Sequence, residues 1–206
     1  MQERFPFSYR AGLLAVLMAV AAGVDFWRHG SSAARYKEYL FIWLAGFIGC
    51  VMGGVNDLIT SSISPEYFSL GKGLPGGEAL NLRAAIYGLK EGLSAGVIAG
   101  AVCVYVARGK AAVPPLCFGG MLRLLWMPAA GAVVGAVLLP LIARHFDPAG
   151  LAARLDGIIA AEPILRFRRV WWIHTGLYSG AVAGLLDMVL AVWKLRRTAP
   201  APAAAA

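Results

Sequence analysis

Apolar residues run along this chain in five long blocks, at 11–27, 39–59, 84–107, 121–143 and 170–193, and charges, prolines and glycines collect between them. Each block approaches the roughly 20 residues that a helix needs to cross about 30 Å of hydrocarbon. The gaps are too short for a soluble domain. The pattern therefore predicts a single all-α domain over 1–198, a polytopic bundle of five transmembrane helices with short interfacial helices, and a disordered Ala/Pro tail at 199–206. The first block has a second reading. Arg4 and Arg10 ahead of a run that contains Ala19-Val20-Ala21 fit a cleavable signal peptide, which would leave four helices. The aromatic pair Phe26 and Trp27 suits a membrane interface and favours a retained helix.

Inside the blocks the glycines are spaced. The third carries Gly88, Gly92, Gly96 and Gly100, the fifth Gly176, Gly180 and Gly184, the second Gly49 and Gly53, and the fourth Gly131 and Gly135. Small residues four apart line one helix face and let backbones approach, which is how helices associate where lipid tails offer no hydrophobic drive. These ladders predict close packing within the chain, or with a second copy or another membrane protein; the alternative is a glycine-lined pathway.

Polar residues interrupt the apolar pattern beside those ladders. Asn56 and Thr60 continue the face of Gly49 and Gly53, with Asp57 one step round. Arg83, Tyr87 and Glu91 form an i, i+4 row in the third block, and His174 and Tyr178 form an i, i+4 pair in the fifth. An Asp at mid-helix costs roughly 2.5 to 3.5 kcal/mol on insertion scales, so Asp57 needs a shallow position, a proton or a partner. Alternating spans bring the end of the second block and the starts of the third and fifth to one side. Asn56, Asp57, Thr60, Glu66, Glu91, His174 and Tyr178 thus form a candidate polar site near one interface. On the opposite side Arg123 and Asp187, near Asp25, form a candidate buried ion pair.

Short surface helices should flank the polar site. Ser64-Pro65-Glu66 reads as a helix start with Ser as N-cap and Pro at N1, Tyr67 and Phe68 suit a headgroup region, and Gly71 is placed to end the turn. Asp147-Pro148 opens a second candidate, with Leu151, Leu155, Ile158 and Ile159 on one face.

Composition agrees with the block pattern: 59% of residues are hydrophobic and 15% charged, with a mean hydropathy of +0.68. The net charge of +8 is spread over both sides, nine Lys and Arg against eight, so it fixes no orientation. It favours anionic lipid headgroups as partners over nucleic acid, for which no recognition motif is present. GKGLPG at 71–76 has glycine-rich spacing but no surrounding β-α-β unit, so it is read as a loop. Cys50, Cys103 and Cys117 lack metal or disulfide spacing, and the histidines form no H-x-x-x-H. No metal and no cofactor is expected.

The span GGVNDLITSSISPEYF resembles a motif of uncharacterised bacterial multi-pass membrane proteins, a (His/Asn)-Asp-x-x-Thr element followed by Glu-Tyr-Phe. Asn56, Asp57, Thr60, Glu66, Tyr67 and Phe68 carry the resemblance, and WWIHTGLYSGAVAG from Trp171 is similar to the last helix of that group. The resemblance implies a bacterial inner (cytoplasmic) membrane location and no particular reaction. Three function classes remain: a structural or assembly component, which the glycine ladders favour; a small-solute or proton-linked ion pathway; and a membrane-embedded enzyme acting on a lipid-borne substrate. A cavity reaching Asp57 and Glu91 would separate the last two from the first.

Overall fold

The computed structural model describes residues 6–33, 35–108, 117–147 and 150–198, and all secondary structure among them is helical. The Ala/Pro tail expected at 199–206 lies outside the described residues, as do Arg4 and Pro148. The helices are α1 (Phe7–His29), α2 (Arg35–Ile63), α3 (Leu80–Arg108), α4 (Phe118–Leu122), α5 (Trp126–Ile142), α6 (Leu151–Leu155) and α7 (Ala161–Thr198). Five helical segments are long and apolar enough to cross a membrane: Phe7–Ser32, Arg35–Ile63, Leu80–Arg108, Phe118–Ile142 and Ala161–Arg197.

The helices outrun the apolar blocks that announce them, because polar residues at their ends stay helical. α2 begins at Arg35 and α7 at Ala161, ahead of the apolar starts at 39 and 170. With 38 residues, α7 is about 57 Å long at 1.5 Å per residue. The fourth block departs from the expectation in another way. It is broken into α4 and α5 by a turn at residues 123–125, held by three-residue bonds such as Leu125 N to Leu122 O at 3.2 Å and Met127 N to Leu124 O at 3.0 Å. Pro128 supplies the reason: it has no N–H to give to residue 124, and its ring crowds that carbonyl.

Two antiparallel hairpins, α2 with α3 and α5 with α7, make up the body of the bundle. In the first, Gly49 lies against Gly92 and Gly53 against Gly88, and Gly96 meets the backbone of Ala45 and Gly46. In the second, Gly131 lies against Gly180 and Gly135 against Gly176, and Gly184 meets Met127 and Pro128. A Cβ built at any of these glycines except Gly46 would overlap a carbonyl oxygen across the seam. The glycine ladders are thus used within the chain. The hairpins touch one another mainly along α3 and α7, and α1 packs on α2 with most of its apolar side chains exposed.

Two apolar clusters close the ends of the bundle. One gathers Phe41, Cys103, Met121, Met188 and Val192. The other joins Tyr67 and Phe68 to Leu80, Leu151, Leu155, Phe167 and Val170, so both short connecting segments cover the same end. Ser64 caps the first segment as its sequence suggests, since its Oγ accepts the Tyr67 N–H at 3.3 Å. The turn that follows is widened into one π turn over Tyr67–Gly71. Gly71 is its last residue, but the left-handed residue that reverses the chain is Gly73, at φ +67°, with Leu74 N bonding Phe68 O at 2.9 Å. Tyr67 and Phe68 are buried against the bundle instead of lying at its edge. The second segment is shorter than its pattern suggests: α6 ends at Leu155, Gly157 takes φ +76°, and Ile158 is exposed.

Candidate functional site

Beneath the covered end, α2 brings Asp57 and α7 brings His174 together, and both are almost wholly buried. Nδ1 of His174 lies 3.0 Å from the carbonyl oxygen of Val170, one turn earlier in α7. A carbonyl only accepts, so this contact places a proton on Nδ1. Nε2 then faces Asp57 Oδ1 at 2.9 Å. Two acceptors at that distance repel unless a proton lies between them, so the pair holds one shared proton, as imidazolium and carboxylate or as imidazole and carboxylic acid. Asn56 Nδ2 donates to the same Oδ1 at 3.1 Å and stands 3.2 Å from Nε2.

Lys72 completes the cluster. Its Nζ is 3.4 Å from Asp57 Oδ2 and 2.7 Å from Glu91 Oε2, and it sits 4.5 Å from the centroid of the Tyr87 ring. Tyr178 donates its hydroxyl to Glu91 at 3.1 Å. With His174 as imidazolium, the charges of Lys72, His174, Asp57 and Glu91 cancel, and compensation of this kind is what makes the burial of Asp57 and His174 tolerable, while Glu91 keeps 39% of its side chain exposed. Around the imidazole, Tyr67 stacks at 4.8 Å between centroids and Phe68 packs edge-on at 5.8 Å. Burial, with the carboxylates of Asp57 and Glu91 adding to it, pushes the Tyr67 phenol above its ordinary value and keeps it neutral.

The candidate residues divide clearly. Asn56, Asp57 and His174 meet directly, Glu91 joins them through Lys72, and Tyr178 bonds Glu91 with its ring beside that of His174. Thr60 is buried, but its hydroxyl bonds the carbonyl of Asn56 at 2.7 Å and so fixes the helix turn behind the site. Glu66 turns away, accepting from Ser64 Oγ at 3.0 Å and facing Arg166 at 3.7 Å. On the opposite side, Arg123 and Asp187 are both exposed and make no ion pair among the described residues. The cause is the break before Pro128: α4 ends at Leu122, so Arg123 lies in a turn instead of on a continuous helix face. Asp25, by contrast, is buried and takes the backbone N–H of Arg35 at 2.9 Å and His29 at 3.1 Å. Lys72 is the functional residue that the sequence pattern conceals, since it sits in the glycine-rich loop and only the π turn swings it back over α2 and α3.

A cavity of about 380 Å³ opens between the two hairpins and ends on this cluster. Asn56, Asp57, Glu91 and Tyr178 line its polar end, while Ala45, Gly100, Leu125 and Met188 line the far end. From Ala45 to Asp57 along α2 is about 18 Å at 1.5 Å per residue. Comparison of the chain with protein-family models, with curated proteins and with solved structures returned no match. The chemistry of the site therefore rests on its own geometry. The cavity lies within the size range of small-molecule sites and combines a long apolar barrel with a few convergent polar groups at one end. Such a shape suits a molecule with one hydrocarbon chain and a polar terminus; Asp57 stands in the wall at the polar end and is bonded to His174, which does not itself line the cavity.

Proposed function

We propose that this chain is an integral protein of a bacterial inner membrane, in which the five long apolar helical segments cross the bilayer, and that it acts on the polar end of a single-chain amphiphile held between its hairpins. In this reading Asp57, paired with His174, exchanges a proton with the bound molecule, Lys72 and Glu91 set the charge around it, and Tyr178 marks the mouth. The observation that carries the proposal is the apolar cavity ending on Asp57, whose carboxylate is paired with the buried His174. The bacterial location rests on the resemblance of the Asn-Asp-x-x-Thr and Glu-Tyr-Phe elements alone. An assembly component needs neither cavity nor shared proton, and the glycine faces it would offer a partner are spent inside the hairpins. A solute pathway is favoured less, because the polar groups gather at one end and an apolar cluster closes the other.

The test is to purify the chain in mild detergent and identify extracted amphiphiles by mass spectrometry. Wild type and Asp57→Asn should retain the same class of molecule, with turnover lost in Asp57→Asn. Ala99→Leu with Ala181→Leu, which fills the barrel, should lose the molecule while the fold melts cooperatively. Equal retention by the filled variant, or no amphiphile with wild type, would overturn the reading.

A further inference from the structure

A second cavity, of about 630 Å³, lies outside the first, between the end of α5 and the start of α7. Its floor is apolar, made by Val137, Leu141, Leu165 and Ile173, and its rim is basic, made by Arg144, Arg166, Arg168 and Arg169. On α7 the lining positions recur at three- and four-residue steps, so they form one face that α5 leaves partly uncovered. Trp172 stands between floor and rim and donates its indole N–H to the carbonyl of Phe146 at 3.3 Å. Tryptophan in that position is characteristic of the headgroup level of a bilayer.

The charge of this groove is poorly answered by the protein. Arg166 faces Glu162 at 3.1 Å and Glu66 at 3.7 Å, yet its Nε is buried without a partner. Arg144 turns its Nε to the ring of His145 at 2.9 Å. No ion pair involves Arg168 or Arg169 among the described residues. Guanidinium groups present forked donors that match phosphate oxygens, and basic pockets between membrane helices are suited to anionic headgroups.

We infer that this groove is a binding site for an anionic phospholipid, with the phosphate among Arg144, Arg168 and Arg169 and an acyl chain along the floor of Val137, Leu141 and Ile173. Apolar floor and basic rim are both needed for that occupant; free inorganic phosphate would use only the rim. The inference shares the membrane setting of the proposed function but owes nothing to the cavity chemistry.

The full chain, purified and placed in nanodiscs of equimolar phosphatidylglycerol and phosphatidylcholine, should retain phosphatidylglycerol selectively when the lipids still bound after detergent release are counted by native mass spectrometry. One Arg at an anionic surface changes binding by roughly fivefold, so Arg168→Gln with Arg169→Gln should lower that selectivity at least about tenfold. Arg28→Gln with Lys37→Gln, at the other end of the molecule, removes the same charge and should leave it unchanged. Should the arginine variant fail to fold, Leu141→Trp decides, since filling the floor should displace the lipid with the rim intact. Wild-type selectivity in either groove variant, an equal loss in the remote variant, or complete displacement of the lipid by millimolar inorganic phosphate would overturn the site. None of these outcomes touches retention of an amphiphile by the inner cavity, so the two proposals fail separately.

Discussion

Lys72 is the single residue on which the polar cluster balances. It bridges Asp57 and Glu91, and its removal would leave two carboxylates facing one imidazole. Breaking a fully buried pair by deleting one partner costs about 3 kcal/mol or more; Glu91 is 39% exposed, so solvent screens part of that cost here, and removing charge from both sides is milder still. Lys72→Met should therefore lower the melting temperature clearly in detergent, and adding Glu91→Gln should recover much of the loss; equal melting of both variants would mean that the bridge does not hold the site together. Tyr67 offers an independent probe. Burial raises its phenol above 10.0, so its contribution is complete below about pH 10, where the unfolded chain begins to ionise, and drains away as pH climbs toward the folded value. Stability should fall more steeply above pH 10 in wild type than in Tyr67→Phe, as thermal melts across that range would reveal. The sequence made Asp57, Glu91 and His174 legible because ionisable groups in apolar runs demand partners. It hid Lys72, because a lysine among loop glycines looks solvated until the backbone turn is known. It misleads at Arg123 and Asp187, because a continuous apolar run does not make a continuous helix where Pro128 breaks it.

At the scale of helices, the seams rest on backbone meeting backbone. A methyl at Gly92 would collide with the carbonyl of Gly49, whereas one at Gly12 would meet nothing within 4 Å. Overpacking costs typically 1–3 kcal/mol, so Gly92→Ala should destabilise by about that amount and Gly12→Ala should be neutral or slightly favourable through helix propensity. Guanidine-free thermal unfolding of the two variants side by side would check this, and parity between them would refute the seam. The ladders were plain in the sequence, since four-residue spacing survives any detail of fold. Their partners were not: nothing in the spacing says that Gly49 meets Gly92 while Gly131 meets Gly180. The break at Pro128 was equally hidden, because hydropathy averages over a proline that geometry does not forgive.

For the whole molecule, the order of the helices makes a statement about sidedness. If all five long segments cross, cysteines placed just after Arg108 and near Arg197 should react with an impermeant thiol reagent from the same side in a cysteine-free background; opposite labelling would exclude the five-crossing arrangement. The number of long apolar helical segments was readable from block lengths alone. The division into two hairpins was not, since it depends on which glycine faces find each other, and with it the space between the hairpins stayed out of view.

That space has a stiff frame. Where glycine meets glycine there is no rotamer to change and no side chain to lean inward, so the walls formed by Gly49, Gly53, Gly88, Gly92 and Gly96 have nothing with which to refill the gap they border. Cavities left by truncating large core residues shrink as neighbours relax into them; this one is denied that relaxation along one whole side. Backbone sets the outline of the hollow along that seam, while side chains such as Met52, Leu177 and Met188 line the rest. An amphiphile of the kind proposed would find that part of its berth already cut to shape, and the ordering that most flexible receptors undergo at the moment of capture would there have been completed during folding.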